Sequence, residues 1–386
     1  MRILIAHNAY QQRGGEDSVV ESETALLRAH GHVVLEYRRS NDDLKGMSRM
    51  DAALQTMWSG RTKAELAVLF AVEQPDVVHV HNTFPLISPS FYWAAAKVRV
   101  PVVQTLHNYR LLCPQAMLLR AGRVCEDCVG KLPWRAAARG CYRDSMAQSA
   151  VLGGMLTLHR GLGTYRKQIS RYIALTEFGR QKFIDGGLPA ERIRVKPNFV
   201  ESPSPQTSGH REGFLFVGRL SAEKGIDILA GALASELGLL CEVIGAGPLQ
   251  DSLSSLPNVS LIGWQQADFI QARMQAARAL VMPSVWYEGF PRTIVEAFAA
   301  GLPVIASRLG AMATSIDDQR TGLLFEAGNA VDLAAKLRWA QANPEAMAEM
   351  GHAARAEYEA RYTPEKNYKM LIDIYADAIN AKQQGV

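Results

Sequence analysis

Short apolar runs alternate with helical patterns along this chain of 386 residues, and the alternation restricts the fold more than any other sequence feature. Apolar runs bounded by turn residues are typical of parallel strands buried on both faces. Eight runs fit: Ile3–Ala6, Val77–Val80, Val102–Leu106, Ile173–Leu175, Phe214–Val217, Cys241–Ile244, Ala279–Met282 and Val304–Ala306. Helical patterns lie between them, for example at Asp17–Arg28, Gly225–Ala234 and Thr293–Ala300. The sequence therefore predicts doubly wound, parallel α/β layers.

One segment interrupts the alternation. Residues 196–213, KPNFVESPSPQTSGHREG, contain three prolines and four serines or threonines and show almost no periodicity, which is typical of a linker. The sequence predicts an α/β domain at 1–196, a linker at 197–213 and a second α/β domain at 214–363. A final helix within 364–386 could pack in several places, including back on the first domain.

Composition restricts the class of protein. Hydrophobic residues make up 48% and charged residues 21%, so the chain can bury full cores. Apolar stretches fall short of the roughly 20 residues needed to cross a bilayer. The start, MRILIAHNAY, is strand-like and too weakly charged for a signal peptide. We therefore expect a cytoplasmic protein.

Charge is distributed unevenly around a net value of +4. Residues 1–200 hold 27 Lys and Arg against 17 Asp and Glu, and residues 101–200 alone hold 16 against 6. A basic region of this kind can meet a nucleic acid, an anionic membrane or a phosphate-bearing substrate. The absence of an Arg-rich recognition helix or a ribonucleoprotein motif argues against nucleic acid. Residues 145–169 predict an amphipathic helix, either on an anionic bilayer or packed on its own domain.

The segment Glu288–Glu296, EGFPRTIVE, follows an apolar run and opens a helical pattern. Backbone N–H groups at Pro291–Ile294, less the one that proline lacks, predict a helix N-terminus able to bind phosphate oxygens. The two glutamates are about two helical turns apart, and a carboxylate beside a phosphate can accept hydrogen bonds from sugar hydroxyls. Spacing alone favours the alternative, a solvated pair of glutamates on an ordinary helix.

Two glycine-containing turns follow strands in the second half. In VGRLSAEKG, Gly218 ends a strand, and Arg219 and Lys224 can neutralise a diphosphate, although a solvated surface turn has the same pattern. IGAGPL contains Gly245 and Gly247 but lacks the third glycine of a dinucleotide fingerprint, so a tight strand-to-helix turn explains it equally well.

The first half offers glycines and histidines at predicted strand ends. Gly14 and Gly15 follow the first strand, and paired glycines let the backbone approach a ligand closely, although a flexible loop is the alternative. His79 and His81 end one strand, and His107 ends the next. A single histidine is more often structural, but three at neighbouring strand ends favour a functional site, with His107 nearest to the chemistry.

Together these motifs resemble the retaining glycosyltransferases of family 4, which have the two-domain GT-B architecture. The matching segments span most of the chain in the expected order. They are the Gly14-Gly15 loop, HVHN at 79–82, TLHNY at 105–109, KPNFV at 196–200, VGRLSAEKG at 217–225, IGAGPL at 244–249 and EGFPRTIVEAFAAGLPVIAS at 288–307. The last segment is the most specific of them.

The resemblance implies a role for each matching residue. Arg219 and Lys224 would bind the donor diphosphate, and His107 would lie beside the reacting carbon. Glu288 would hold the transferred sugar, and Glu296 the donor ribose. The remaining donor-binding positions would be Gly15, Gly218, Gly245, Gly247, Gly289, Phe290, Pro291, Arg292 and Thr293. Catalysis would require no metal cofactor, because cations and a helix N-terminus neutralise the leaving group.

The implied activity is transfer of a hexose, with mannose slightly favoured, from a GDP- or UDP-sugar to a glycan. A lipid-linked surface polysaccharide intermediate is the expected acceptor, reached at the cytoplasmic face of the membrane. Anomeric configuration would be retained by front-face attack, because no carboxylate of the first domain suggests itself as a covalent nucleophile. The alternatives are a nucleotide-sugar epimerase, a non-catalytic sugar-nucleotide-binding scaffold and, least favoured, a dehydrogenase.

Four cysteines lie within a basic insertion at about residues 110–145. Cys113, Cys125, Cys128 and Cys141 have the spacing C-x11-C-x2-C-x12-C. A CxxC pair flanked by two further cysteines resembles a structural zinc site. Unrelated reduced thiols remain open as an alternative. Disulfides are disfavoured in a reducing cytosol.

Overall fold

A computed structural model describes residues 1–11, 14–202 and 211–384 of the chain. The chain folds into two compact units. Unit 1 comprises Met1–Leu118, Glu126–Pro197 and Tyr368–Val386, and unit 2 comprises Leu119–Cys125 and Asn198–Asn367. Residues 203–210 of the predicted linker lie outside the described residues, whereas Phe199 and Val200 are buried.

Unit 1 is built on a six-stranded parallel sheet. Its strands are β1 (Arg2–Ala9), β2 (Val33–Ser40), β3 (Val77–Asn82), β4 (Val102–Leu106), β7 (Arg171–Ala174) and β8 (Ile193–Val195). The short strands β5 (Leu119–Arg120) and β6 (Arg123–Val124) form a separate antiparallel hairpin, which is assigned to unit 2. The sheet order is β2-β1-β3-β4-β7-β8. The order reverses between β1 and β3, so the carboxyl ends of these strands form the crevice where open α/β sheets bind ligands.

Helices follow the strands of unit 1. They are α1 (Gly15–Ala29), α2 (Arg49–Met57), α3 (Gly60–Glu73), α4 (Ser90–Lys97), α5 (Trp134–Ala138), α6 (Met146–Gly161), α7 (Thr164–Lys167) and α8 (Glu177–Asp185), with 3-10 turns at Asn41–Gly46 and Ala190–Arg192. The segment 145–169, predicted as one amphipathic helix, forms two helices because Gly163 turns the chain with a φ of 71°. One face of α6 is buried through Leu152, Met155 and Leu156.

Unit 2 repeats the plan with another strand order. Its strands are β9 (Phe214–Val217), β10 (Cys241–Ile244), β11 (Val259–Gly263), β12 (Ala279–Met282), β13 (Val304–Ser307) and β14 (Gly322–Phe325), in the order β11-β10-β9-β12-β13-β14. All pairs are parallel. The order reverses between β9 and β12. The prediction of two doubly wound α/β domains is confirmed.

Helices cover both faces of the second sheet. They are α9 (Ile226–Ala234), α10 (Asp251–Ser254), α11 (Ala267–Ala276), α12 (Arg292–Ala299), α13 (Gly310–Ser315), α14 (Ala330–Ala342) and α15 (Pro344–Arg361), with a 3-10 turn at Ala222–Lys224. Ile294, Val295 and Phe298 give α12 an apolar face that is buried in the core of unit 2. This packing fixes the loop that leads from β12 into α12.

The last helix, α16 (Pro364–Gln383), belongs to unit 1 from Tyr368 onward. Tyr375 is fully buried, and its hydroxyl lies 2.7 Å from His79 Nδ1. Asp377 accepts hydrogen bonds from Arg171 and Arg194, each at 2.7 Å, and the Arg171 bond lowers the pKa of this carboxyl. Within the described ranges, no helix combines the length and the apolar character needed to span a membrane.

Candidate active site

The loop residues Lys224 and Glu288 meet where the strand order of unit 2 reverses. Lys224 Nζ lies 2.7 Å from Glu288 Oε1. The same oxygen accepts hydrogen bonds from Ser284 Oγ at 2.8 Å and from Trp286 Nε1 at 3.0 Å. Glu288 is buried, whereas about a quarter of the Lys224 side chain is exposed. Two residues that are 64 positions apart therefore form one charged pair at the ligand-binding edge of the sheet.

Close backbone packing holds this pair in place. Gly225, which follows Lys224, has a φ of 72°, and a Cβ atom there would lie 1.9 Å from the carbonyl oxygen of Pro283. The Val285 N–H donates to the carbonyl of Glu223 at 3.0 Å. The loop after β9 can approach the loop after β12 this closely only because residue 225 lacks a side chain.

The N-terminus of α12 has fewer open donors than the sequence predicted. The Arg292 N–H donates to the Phe290 carbonyl and the Ile294 N–H to the Pro291 carbonyl, each at 2.9 Å. The loop folds back on itself before the helix starts at Arg292, and two of the predicted phosphate donors are thereby used within the chain. Gly289, Phe290 and Thr293 are partly exposed in this segment, and Pro291 is buried.

Glu296 lies on α12 and forms a pair that the sequence analysis did not anticipate. Arg292 Nε lies 3.0 Å from Glu296 Oε1, one helical turn away. Burial raises the pKa of Glu296, and the Arg292 guanidinium acts in the opposite direction. Each side chain is about one third exposed, so the carboxylate can still be reached from outside the helix.

The two predicted glycine turns of unit 2 pack directly against each other. A Cβ atom at Gly245 would lie 1.9 Å from the carbonyl oxygen of Gly218, and one at Gly247 would lie 2.3 Å from that of Leu220. The IGAGPL segment is therefore a tight turn that braces the loop after β9. Arg219 is exposed on this loop and has no ion pair within the described part of the chain.

Unit 1 places four histidines on its central strands β1 and β3 and directly after β4. His7, His79, His81 and His107 are all buried. His81 Nδ1 lies 2.9 Å from His107 Nε2, and the ring centroids of His79 and His81 are 4.1 Å apart. His7 Nε2 lies 2.8 Å from Asp17 Oδ1. The structure thus brings His79, His81 and His107, which the sequence singled out, into one cluster with His7.

A buried ion pair supports this cluster. Glu23 on α1 and Lys196 after β8 are both fully buried, and Lys196 Nζ lies 2.6 Å from Glu23 Oε1. Glu23, His79 and His81 each bring one ligand atom within 4.8 Å of the others, which is a spacing that a metal could use. The ammonium of Lys196 already supplies the positive charge that Glu23 would otherwise offer to a cation.

Burial controls the protonation of the histidines. It lowers the pKa of His7, lowers the pKa of His79 to about 4, and lowers the pKa values of His81 and His107 well below their usual range. All four rings are therefore neutral near pH 7, with one ring N–H each.

Gly15 begins α1 and faces open space. A Cβ atom at Gly15 would meet no atom within 4 Å, so packing within the described chain does not require glycine there. Beside it, Glu16 accepts hydrogen bonds from Tyr10 and from Asn108, at 2.9 and 2.7 Å, and burial raises the pKa of Glu16. This position can admit the close approach of a ligand that the sequence predicted.

A pocket that is partly open to solvent lies in unit 1 beyond β3 and β4. Its walls include His107, Asn108 and Arg110 after β4. Phe84 also lines it, and the Arg110 guanidinium lies 4.3 Å from the Phe84 ring centroid. Polar side chains beside an aromatic wall can bind a hydroxylated ring compound.

The four insertion cysteines differ in exposure. Cys113 and Cys128 are buried, Cys125 and Cys141 are partly exposed, and none takes part in a disulfide. The disulfide alternative is therefore wrong for this structure. Structural zinc stays a prediction.

Sequence reasoning missed Glu23, His7, Ser284 and Trp286. Glu23 is one of several acidic residues in an ordinary amphipathic helix, and the surrounding sequence does not indicate that its side chain is completely buried. Trp286 could have been suspected, because it stands two residues before Glu288 in a loop that follows a buried strand. Lys196 lies in the KPNFV motif, but its partner is 173 residues away.

Comparisons with known proteins agree with this architecture. The family model for glycosyl transferases group 1 matches residues 201–357, and the model for the glycosyl transferase 4-like domain matches residues 9–198. The chain is similar to an uncharacterized 42.6 kDa protein in the cps region of Klebsiella pneumoniae, with 25% identity over 249 residues, 61% of this chain and 58% of that protein.

A second relative is the amylovoran biosynthesis glycosyltransferase AmsK of Erwinia amylovora, with 27% identity over 224 residues, 52% of this chain and 55% of that protein. The matches thus span little more than half the length of these two relatives. Among solved structures, Anabaena HepE in complex with UDP has a TM-score of 0.70 and 18% identity, over 97% of this chain and 100% of that chain. This likeness shows a shared fold.

The two family models together match most of the chain, each over one of its α/β domains, and the fold is that of GT-B enzymes. The resemblance inferred from the motifs is confirmed. The chain belongs to the group 1 glycosyltransferases.

Proposed function

We propose that this protein transfers a hexose from a nucleotide diphosphate sugar to a glycan acceptor. The observation that carries the proposal is the Lys224–Glu288 pair where the strand order of unit 2 reverses. A departing nucleoside diphosphate develops negative charge, and a fixed ammonium beside it stabilises that charge. Arg219, exposed and without an ion pair in the described chain, supplies a second cation on the same loop.

The two glutamates suit the hydroxyl groups of such a donor. An ionised carboxylate only accepts hydrogen bonds, and sugar hydroxyls donate them. Glu288 is held in place by Ser284, Trp286 and Lys224, which fits a residue that orients the transferred sugar. Glu296, about one third exposed on α12, is proposed to accept hydrogen bonds from the donor ribose.

The base of the donor is proposed as uracil or guanine. HepE, which shares the fold, was solved in complex with UDP, which supports a UDP-hexose as the donor to examine first. GDP-mannose is the alternative that family resemblance favours slightly. No metal is required in this proposal, because Lys224 and Arg219 provide the positive charge at the leaving group.

Nucleotide binding tests the donor class directly. Thermal shift and calorimetry with UDP, GDP, ADP and NAD, without added metal, should show a clear preference for UDP or GDP. Sugar transfer is then measured with the matching nucleotide hexoses and a glycan acceptor. Binding of NAD alone would contradict the proposal, and binding of none of the four would favour a scaffold. Release of a free sugar without an acceptor would identify an epimerase.

The pocket of unit 1 is proposed to receive the acceptor glycan. Asn108 and Arg110 provide hydrogen-bond donors, and Phe84 provides a flat apolar wall. Retention of configuration is proposed from the family resemblance. The anomeric configuration of the product, read by NMR from its coupling constants, tests this directly, and an inverted product would contradict it.

The acceptor is proposed to be lipid-linked, as an intermediate of polysaccharide synthesis. AmsK is named for the biosynthesis of amylovoran, which supports this class of acceptor. A lipid-linked acceptor requires a surface that meets the membrane, and unit 1 carries a suitable one. Between residues 131 and 167 the chain has seven Lys or Arg and one acidic residue, Asp144.

Large apolar side chains are exposed within this basic segment. The exposed fractions are 62% for Leu132, 65% for Trp134 and 63% for Met146. We call the surface formed by these three residues with Lys131, Arg135, Arg139 and Arg143 the basic apolar face. Asp127 pairs with Arg139 at 2.5 Å and with Arg135 at 3.9 Å, so one carboxylate faces four cations of this surface. Apolar side chains among cations match an anionic bilayer, where each cation near the surface contributes about 1 kcal/mol.

Vesicle co-sedimentation tests the basic apolar face. The protein should bind vesicles that contain phosphatidylglycerol more strongly than neutral phosphatidylcholine vesicles, and added salt should weaken binding. Trp134→Ala and Arg143→Gln should each weaken binding, the latter roughly five-fold. Trp264→Ala is the matched control, because Trp264 is 73% exposed in unit 2. Equal loss with Trp264→Ala, or self-association through this face in solution, would contradict membrane binding.

A further inference from the structure

Three side chains of unit 1 form a row that ends at the pocket. Glu23 Oε2 lies 3.6 Å from His81 Nε2, and His81 Nδ1 lies 2.9 Å from His107 Nε2. Glu23 and His81 are buried, and His107 lines the pocket beyond β3 and β4. The row therefore connects a charge in the interior with a ring at the candidate acceptor site.

The first contact of the row determines which ring nitrogen of His81 carries the proton. Glu23 Oε2 and His81 Nε2 are both buried atoms without a hydrogen-bond partner, and they lie opposite each other just beyond hydrogen-bond distance. Buried polar atoms normally find partners, so each is the partner that the other lacks. Glu23 is paired with Lys196 and, as a carboxylate, can only accept. The N–H of His81 must then be at Nε2.

The neighbouring His79 does not compete with His81 for Glu23 Oε2. His79 Nδ1 lies 3.8 Å from Glu23 Oε2, but it is bonded to the Tyr375 hydroxyl, and His79 Nε2 is bonded to Thr105 Oγ1, each at 2.7 Å. Both nitrogens of His79 are thus occupied. Glu23 Oε2 remains available to His81.

The second contact determines which ring nitrogen of His107 carries the proton. A neutral His81 with its proton on Nε2 presents a lone pair at Nδ1, so it accepts a hydrogen bond from His107 Nε2–H. His107 is also neutral, because burial lowers its pKa, and its single proton is thereby placed on Nε2. Its Nδ1 is left unprotonated, because the contact with His81 engages only Nε2.

We propose that Glu23 and His81 are positioning residues that hold His107 in the Nε2–H tautomer, so that Nδ1 accepts a hydrogen bond from a sugar hydroxyl in the unit 1 pocket. The inference rests on the proposed glycosyl transfer for the identity of the ligand. It assigns His107 the role of an acceptor. A His107 with the opposite tautomer would present an N–H to the pocket and would donate to the hydroxyl oxygen, so the hydroxyl proton would need another acceptor.

Paired substitutions of His81 test the positioning role by kinetics. His81→Leu removes the acceptor for His107 Nε2–H and should lower kcat roughly 100-fold, with little change in KM for the donor. His81→Asn places an amide oxygen near the position of Nδ1 and should recover most of the loss. His352→Leu, at an exposed histidine of α15, is the control. Equal loss for His81→Leu and His81→Asn, both folded by melting temperature, would show a packing role only.

The tautomer itself can be read without turnover. In protein labelled with 15N-histidine, protonated and unprotonated ring nitrogens have separate shifts, and the His107 signals are assigned by their loss in His107→Gln. We expect protonated Nε2 and unprotonated Nδ1. In Glu23→Gln, the amide oxygen can accept from Lys196 while the amide N–H donates to His81 Nε2. The proton of His81 would then be on Nδ1 and would be donated to His107 Nε2. The proton of His107 should therefore move to Nδ1.

The two measurements keep the proposals separate. A wild-type His107 protonated at Nδ1 would overturn the inference, whatever the activity. Absence of transferase activity with the expected wild-type tautomer would instead overturn the proposed function. If Glu23→Gln does not fold, the wild-type spectrum and the two His81 variants still decide the question.

Discussion

The two candidate sites of this protein use charge in opposite ways. In unit 1, Glu23 and Lys196 are fully buried and bonded to each other, and the histidines around them are neutral. In unit 2, Lys224 is partly exposed, and Arg219 is exposed without an ion pair in the described chain. In the first site the buried charges neutralise each other, whereas the second site has positive charge at its surface.

This difference separates the residues that maintain the fold from those that act on a ligand. A buried charge that loses its partner costs several kcal/mol, because water cannot replace the partner. A partly exposed cation on a loop contributes little to stability and can serve an anionic ligand. Substitutions in unit 1 should therefore lower stability first, and substitutions in unit 2 should lower activity first.

The largest expected effect is on the stability of unit 1. Lys196→Met keeps the length of the side chain but leaves Glu23 buried without its counter-charge, and should destabilise unit 1 by about 3–5 kcal/mol. Hydrogen exchange of peptides from α1 and β3, compared with peptides from β9 and β10, reports each unit separately. Lys45→Met, at an exposed ion pair, is the control and should leave exchange unchanged. Similar exchange in Lys196→Met and wild type would show that the pair is not structural.

The next effect is on turnover through unit 2. Lys224→Ala should lower kcat roughly 100- to 1000-fold, because the departing diphosphate loses a fixed cation. The melting temperature should fall less than in Lys196→Met, because Glu288 keeps its hydrogen bonds from Ser284 and Trp286. Arg338→Ala, at an exposed cation of α14, should retain full activity. Near-normal turnover of Lys224→Ala would remove the proposed clamp.

Acid should affect the two units unequally. The folded-state pKa of His79 is about 4, below the ordinary value of 6.5, so below pH 6.5 the unfolded state binds a proton that the folded state refuses. Stability is therefore complete above pH 6.5 and falls as the pH decreases toward 4, by on the order of 3 kcal/mol for this one group. Hydrogen exchange at pH 7 and pH 5, corrected for the intrinsic rate, should show a loss confined to unit 1. An equal loss in unit 2 would contradict this assignment.

The smallest effect concerns the ribose. Glu296→Gln keeps the shape of the side chain but weakens the hydrogen bonds from the ribose hydroxyls, and should weaken nucleoside diphosphate binding roughly ten-fold. Calorimetry measures the affinity directly. Glu345→Gln, on the first turn of α15, is a suitable control. Unchanged affinity for the nucleotide would argue against the ribose role and leave the Arg292–Glu296 pair as a local helix contact.

The strands that sequence analysis identified and those it missed differ by position in the sheet. All eight predicted runs are interior strands, which are buried on both faces and are therefore mainly apolar. The missed strands β2, β8, β11 and β14 are the four edges of the two sheets, and the hairpin β5–β6 was also missed. In β2, VVLEYRRS, buried and exposed residues mix, so the run has no clear apolar signal.

The site was predictable to the extent that its residues are local in sequence. The EGFPRTIVE segment and the EKG turn were recognised from motifs, and their pairing follows from the order of the strands. The partners of buried groups were not predictable, because Glu23 and Lys196 meet only after α1 and the end of β8 pack together. Donors at the start of α12 were overestimated, because the backbone closes on itself at Phe290 and Pro291.

The return of α16 to unit 1 has a consequence for synthesis on the ribosome. Proteins fold from the N-terminus as the chain emerges. Here, Tyr375 bonds to His79, and Asp377 bonds to Arg171 and Arg194. Tyr375 and Asp377 are translated well after the strands of unit 1 and after all of unit 2. Until α16 has been synthesised, the nascent unit 1 has an uncovered apolar surface, and Arg171 and Arg194 lack their carboxylate partner. A chaperone bound to this intermediate would protect it during that interval.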